Sequence, residues 1–521
     1  MEDGKKGSSA VKPTLGLTGV TVNAMALIAP GAFLWITYQL QAAATAPNGS
    51  SVSSDIWAGI IVALVLAFLT AISYAELARL YPEAGFGSSY YFAEKAFLDR
   101  ENREHHKWAR LAKILTGWAA HLFYWVYPGV MVAMMATLIG YIYTQFTGAA
   151  LSTLWLIVIS ALFAIATGYI AYRGVTGSTF TAFLMNVIQL ASLVIFSALA
   201  IYYRISNPHG AAHWAFSGGW DVLRGHSIQG VLTQSTLAIL ILVGFESSTA
   251  FAAETKDAKR NIPRAVIISL VIQGVIAYLF EYFAASYMIS EKLVATTTDG
   301  GTTTTVTGMA AAAASSAPIG DMAILIGNSI LGGIGFGLMI TLAVTVGLAI
   351  LGTTLSCLNT AVRISYAMSQ DREMPSVLGA MHGRFATPHR AIWVLVAFST
   401  VIAAIGVQSV VGLTGITLAS NLGTFVLYGL TCLWTIVAFA KRNEFSLIKH
   451  GVVPVLGLAA NLLMLGAIIY LYIIGNSDSQ KEAYICFAIA GLWAVLGGAY
   501  VYANSRRTGR AIIGAPSEVK D

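Results

Sequence analysis

Twelve apolar runs, each long enough to cross a lipid bilayer, constrain this 521-residue chain more than any other feature. They fall at 15–40, 56–80, 114–144, 151–172, 176–203, 228–254, 264–289, 326–360, 391–408, 412–441, 451–475 and 484–504. A hydrocarbon core takes about 20 helical residues to cross, so the longer runs are expected to be tilted or broken. Backbone polar groups in lipid must be satisfied within the segment, which makes such spans helical. The expectation is an all-α polytopic membrane protein. Composition agrees, with 57% hydrophobic residues, 10% charged residues and a mean hydropathy of +0.72, outside the range of a soluble domain of this length. The first run follows a basic tail (Lys5, Lys6, Lys12) and lacks a small-residue cleavage site, so it reads as a span and not a removed signal peptide.

The cations set the orientation. Of 30 Lys and Arg residues, all but Arg204, Arg224, Lys292 and Lys481 fall on the amino-terminal side when twelve crossings are counted. By the positive-inside rule both termini are cytoplasmic, in a cell membrane crossed many times. The net charge of +6 then belongs to the inner face of the membrane, and the expected large partner is the lipid bilayer, not nucleic acid. Cys357, Cys432 and Cys486 lie in predicted spans and read as small buried hydrophobes, while His105 and His106 sit together on a solvated inner loop. No HExxH, GxSxG or Walker-type GxxxxGK[ST] pattern is present, so neither an enzyme nor an ATP motor is expected, and no cofactor or metal.

Two segments are interrupted at matching places. Ala29-Pro30-Gly31 breaks the first, and Val243-Gly244-Phe245 breaks the sixth, followed at once by Glu246. Segment 1 starts inside and segment 6 outside, so repeats beginning at each have opposite topology. The organisation read from this is a tail (1–14), a first five-helix repeat (15–203), an inverted second repeat (228–441), helices 11 and 12 (451–504) and a second tail (505–521). Such paired interruptions point to a midplane binding site in a secondary transporter. A break frees backbone N–H and C=O groups that protein, water or ligand must satisfy. The start of a half-helix favours an anion and its end a cation, so a zwitterion suits both. The plainer alternative is that Pro30 kinks a helix and Gly244 lets two helices approach.

Longer stretches carry a family resemblance. SYAELARLYPEAGFGSSYYFAEKAF (Ser73 to Phe97), GFESSTAFAAETKDAKRNIPRA (Gly244 to Ala265) and CLNTAVRISYAMSQDREMP with TPHRA (Cys357 to Ala391) resemble three ordered signatures of the amino acid-polyamine-organocation permease superfamily. The resemblance covers roughly residues 15 to 440. It implies the inverted-repeat fold of the leucine-transporter group, with substrate held between broken helices 1 and 6. It also implies transport of amino acids, amines or related cations by symport or exchange, with a proton as the candidate coupling ion. On that basis the backbone of Ala29, Pro30, Gly31, Val243, Gly244 and Phe245 would contact the solute, and the Phe245 ring would approach its side chain or simply pack.

Departures from the pattern refine these expectations. Many relatives have Gly-Ser-Gly at the first break, where successive N–H groups hold a carboxylate. Pro30 removes one donor and leaves those of Gly31, Ala32 and Phe33, and a proline here also resembles some polyamine carriers. Gln189 falls where many relatives carry a coupling lysine. It cannot exchange a proton near neutral pH and is expected to pair with a helix 1 carbonyl. That leaves Glu246 as the expected coupling or amine-recognition residue, with a permanent interhelical hydrogen bond as the alternative.

Weaker signals come from Glu281 in segment 7, the His121, Tyr124 and Trp125 stripe in segment 3, and the hydroxyls of Thr353, Thr354 and Ser356 in segment 8. Glu76, Arg79, Glu254, Lys256 and Arg363 stand at inner helix ends and suit an ion-pair gate. The polar stretch from Thr296 to Pro318 reads as a flexible outer spacer.

Overall fold

The computed structural model describes residues 13–82, 87–100, 103–174, 179–207, 218–299, 302–385 and 387–514. Twelve helical stretches among them are long and apolar enough to span a bilayer. In chain order these spans are Leu17–Ala43, Ser53–Leu80, Glu104–Thr147, Thr153–Tyr172, Phe183–Ser206, Ile228–Glu254, Ala258–Met288, Gly335–Gln370, His389–Gly406, Val410–Phe439, Leu447–Tyr472 and Ser477–Thr508. They match the twelve expected runs one for one.

Position in the bundle follows from how much of each span its neighbours cover. In spans 1 and 3, 88% and 89% of the most apolar 18 residues are buried, against 28% in span 4 and 22% in span 12. Spans 4 and 12 instead expose Leu154, Trp155, Leu162, Leu492 and Val495, as lipid-facing helices do. Span 3 packs against spans 8, 9 and 10, and span 2 against spans 6 and 7, so spans 1 and 6 are enclosed on all sides. Close approach depends on small residues. A Cβ on Gly59 of span 2 would lie 2.4 Å from Cβ of Gln234 in span 6, and Ser235 donates to the Gly59 carbonyl at 3.1 Å.

Span 11 begins and ends in π-helical turns, Leu447–Val452 and Ile468–Tyr472, and spans 1, 6 and 7 change their winding in mid-course. Span 1 divides into half-helix 1a (Leu17–Ile28) and half-helix 1b (Pro30–Ala43). Span 6 divides into half-helix 6a (Ile228–Leu242) and the 3₁₀ segment 6b (Phe245–Glu254). Span 7 is α-helical over Ala258–Leu270, π-helical over Val271–Tyr278 and α-helical again over Leu279–Met288.

Two expectations are corrected. The stretch after span 7 is not a flexible spacer. Strand β1 (Val294–Asp299) pairs antiparallel with β2 (Thr302–Thr307), Val294 opposite Thr307, and the helix Gly308–Ala314 follows. Threonine is β-branched and favours a pleated strand, and the runs flank an Asp-Gly-Gly turn signal. The alanine-rich helix buries Met309, Ala311 and Ala312 against the far end of half-helix 1b, where Gln39 donates to the Ala313 carbonyl at 3.4 Å. The start of segment 8 is also revised. A separate helix, Pro318–Ile330, ends before Gly332 and Gly333, both with positive φ, and span 8 begins at Gly335.

Candidate functional site

Half-helix 1a ends because Ala29 adopts the left-handed conformation (φ 31°, ψ 72°) and Pro30 starts the next helix at its first position. The Ala26, Leu27 and Ile28 carbonyls freed by the break are taken up by side chains from spans 8, 3 and 7, and a fourth span grips half-helix 1a further back, at Val22. Asn186 of span 5 donates to Val22 at 3.2 Å, Thr353 of span 8 to Ala26 at 3.1 Å, Tyr127 of span 3 to Leu27 at 3.3 Å and Tyr278 of span 7 to Ile28 at 2.6 Å.

The donors at the start of 1b are fewer than the sequence suggested. Ala32 and Phe33 both direct their N–H groups to the Ala29 carbonyl, at 3.1 and 3.4 Å. A left-handed residue before the proline turns that carbonyl under the first turn, leaving Gly31 as the one amide of the three not engaged with it.

Gln189 is also placed differently from expectation. The link to a helix 1 carbonyl is made by Asn186, one turn earlier. Gln189 is buried against Gly31, where an added Cβ would lie 3.3 Å from its Cγ, and its Oε1 has no protein partner among the described residues.

At the second break Val243 closes half-helix 6a by donating to Ile239 at 3.2 Å, and Gly244 takes φ 124°. That conformation is strained for any residue with a Cβ. Ser247, Ser248 and Thr249 then bond back to the carbonyls of Gly244, Phe245 and Glu246 at 2.6, 2.8 and 2.6 Å. Three successive short hydroxyls competing for local carbonyls favour the tight 3₁₀ winding of 6b.

Glu246 is buried at this break and holds three donors. Tyr124 of span 3 donates to Oε1 at 2.8 Å, while Tyr428 of span 10 and the Gly244 amide donate to Oε2 at 2.7 and 2.9 Å. Its own backbone amide also lies in hydrogen-bonding position to the carboxylate, so the donors come from spans 3 and 10 and from the break itself. Phe245 is buried beside it, 5.3 Å from the Tyr428 ring and 6.1 Å edge-on from Tyr74 of span 2, so it does not face lipid. The acid therefore sits among aromatic faces able to attract a cation.

The span 3 stripe divides. Tyr124 turns to Glu246, whereas His121 and Trp125 meet Ser365 of span 8 at 2.9 and 3.3 Å. Thr354 donates to the Ile350 carbonyl at 2.6 Å, and the single Thr353 O–H is shared between the Ala26 carbonyl and that of Ala349 at 2.9 Å. The three cysteines are buried free thiols.

On the cation-rich face the path is closed. Arg363 of span 8 pairs with Glu254 at 2.8 Å and lies 4.4 Å over the Phe251 ring. Leu15 donates to the Glu254 carbonyl at 3.0 Å, Lys256 donates its amide to Leu15 at 2.8 Å, and Ser88 bonds Thr249. Glu76 and Arg79 form a separate network with His450 and Lys449 of span 11. On the opposite face a cavity of about 210 Å³ opens beside the ends of 1b and 6a, lined in part by Thr45, Thr233, Thr414, Asp478 and Glu482.

Of the residues singled out from sequence, the structure brings Gly244, Phe245, Glu246, Ala29 and Gly31 to one buried region. A Cβ on Gly244 would lie 2.9 Å from Leu27 Cβ and 3.0 Å from Ile28 N. Sequence reasoning missed Tyr74, Tyr127, Tyr278 and Tyr428. A tyrosine on an apolar helix gives no sign of its partner when the partner is 182 residues away, as Glu246 is from Tyr428.

The similarities to known proteins agree with this architecture. The low-affinity putrescine importer PlaP of Escherichia coli (strain K12) is 27% identical over 225 residues, 43% of this chain and 45% of the importer, so the chain spans less than half of that relative's length. The branched-chain amino acid permease BcaP of Bacillus subtilis (strain 168) is 24% identical over 447 residues, 84% of this chain and 83% of the permease. The methylthioribose transporter of the same organism is 23% identical over 411 residues, 78% of this chain and 77% of the transporter. With two broken spans meeting beside a buried acid, twelve candidate spans among the described residues and a match to the amino acid permease family over residues 14–495, the chain belongs to that family.

Proposed function

We propose that this protein is a secondary active permease that moves an amino acid across the cell membrane by ion-coupled symport or exchange, alternating access between the two faces. In this reading 15–203 and 228–441 are the inverted repeats, and both termini are cytoplasmic. The observation that carries it is the meeting of two broken spans around Glu246, with an ion-paired closure on the cation-rich face and a cavity on the other. The substrate ammonium pairs with the Glu246 carboxylate beside Phe245 and its neighbouring tyrosines. The backbone from Ala29 to Gly31 and from Val243 to Phe245 lines the rest.

One observation favours a second reading, a polyamine or other organic amine as substrate. Carboxylate binding at half-helix 1b needs free N–H groups, and two of the three beyond Pro30 are engaged with Ala29. Glu246, by contrast, is ready for an ammonium whether or not a carboxylate accompanies it.

Thermal stabilisation of the purified protein separates the two, since a ligand that binds only the folded state raises the melting midpoint. Leucine, its decarboxylated amine and putrescine are the probes. Stabilisation by leucine alone supports the amino acid reading, and stabilisation by the amines alone supports the second. In sealed liposomes Glu246→Gln should weaken binding of the stabilising probe by about 1.5–3 kcal/mol, the worth of a hydrogen bond to a charged group. Unchanged affinity would remove Glu246 from the site.

A further inference from the structure

Span 7 carries a second buried acid that the site above does not use. Glu281 is 1% exposed, and neither of its carboxyl oxygens has a protein hydrogen-bond partner among the described residues. Glu246 shows what an acid at this depth can receive, namely three donors within 2.9 Å. A bare carboxylate in the same medium would bear its desolvation cost unrelieved, and a bound proton removes that cost.

Its position gives that proton a consequence. Span 7 is joined to span 1 by a ladder of polar contacts that crosses the break. Gln273 reaches Asn186 at 3.3 Å, and Asn186 reaches Val22. Tyr278 holds the Ile28 carbonyl at the end of 1a, while Tyr282 bonds Thr37 at 2.6 Å and Ser286 bonds Tyr38 at 3.0 Å, both on 1b. Glu281 lies between the rung on 1a and the rungs on 1b. The π-helical turn Val271–Tyr278 ends three residues before it, an irregularity that recurs at functional sites.

We propose that Glu281 is protonated while span 7 is latched to both halves of span 1, and that it, and not Glu246, carries the coupling proton. This rests on the reading of the chain as an ion-coupled permease. When the ladder opens and water reaches Glu281, the proton passes from the carboxyl O–H to water. The resulting anion is stable only while hydrated, so the latch closes again once a proton has returned. The titratable and charged groups around this part of span 7 are Tyr278 and Tyr282 on the span itself, with Tyr38, Asp55, Tyr203, Arg204 and Asp221 on the elements packed against it. Asp55 is held instead by His226 and Ser227, and Asp221 by Arg224.

The test has two arms. Infrared spectra near neutral pH are compared for wild type, E281Q, E281D and E246Q. The wild-type minus E281Q difference spectrum is expected to contain the C=O band of a neutral carboxylic acid, a component that E281D and E246Q retain. In proteoliposomes, labelled leucine and putrescine are followed under an inward acid gradient and in counterflow. With one proton per substrate the gradient drives accumulation of about tenfold per pH unit in wild type. E281Q should fall to simple equilibration while counterflow, which needs no net proton movement, still runs, and E281D should retain gradient-driven accumulation. A wild-type minus E281Q difference spectrum without that band, or accumulation that survives that substitution, overturns the proposal. Absence of counterflow with both probes in wild type counts against the permease reading, and the band still decides whether Glu281 is protonated.

Discussion

Half-helix 1a stops at Ile28 and half-helix 6a at Leu242, and the two stops are secured in opposite ways. At the first, an alanine is held in the left-handed conformation, and the freed carbonyls are served from spans 3, 7 and 8. At the second, a glycine takes the positive φ, and three hydroxyls and Glu246 of the break itself supply most of the polar partners. The second break therefore draws its carbonyl partners from its own residues, while Glu246 ties it to spans 3 and 10. The freed carbonyls of the first depend on spans 3, 7 and 8 keeping their places, so its geometry is set by their packing. A permease needs both properties, because one element must keep its shape while another responds to the bundle around it.

The largest effect expected from this contrast comes from Gly244→Val. A side chain there meets a strained backbone and Leu27 at 2.9 Å, with no neighbouring span free to give way. A loss of about 3 kcal/mol or more is expected, seen as a collapsed melting midpoint and no transport in liposomes. A variant that melts with the wild type would show that the second break does not depend on its glycine.

Tyr278→Phe comes next. It leaves the Ile28 carbonyl without its 2.6 Å donor, at a cost of about 1–3 kcal/mol for a buried acceptor. Tyr127→Phe should cost less, since its bond to Leu27 is longer at 3.3 Å. The order of the two midpoints checks whether the first break is held mainly from span 7. The reverse order would place the support in span 3.

The contrast also marks what could be read without coordinates. Twelve spans were legible because hydrocarbon thickness fixes their length, and both breaks because Pro30 and Gly244 announce themselves locally. Glu246 was legible as an acid in an apolar run. The supports of the first break were not, since Asn186, Tyr127, Tyr278 and Thr353 are brought to it only by the packing of the bundle. For the same reason the helix 1 link was expected at Gln189 and belongs to Asn186. The hairpin after span 7 was missed although its threonine runs and Asp-Gly-Gly turn were local signals, because polarity and low complexity were weighed above β-branching.

The smallest effect should come from Ala29→Gly, and its smallness is informative. Relief of the left-handed strain is worth about 1–2 kcal/mol. The greater freedom of glycine in the unfolded chain and the loss of a buried methyl oppose it by similar amounts. The midpoint should stay within about 1 kcal/mol of wild type, because the carbonyls of 1a keep their side-chain partners whichever residue occupies the turn. A loss of several kcal/mol would mean that Ala29 itself organises the break, and the first break would then resemble the second in being locally determined.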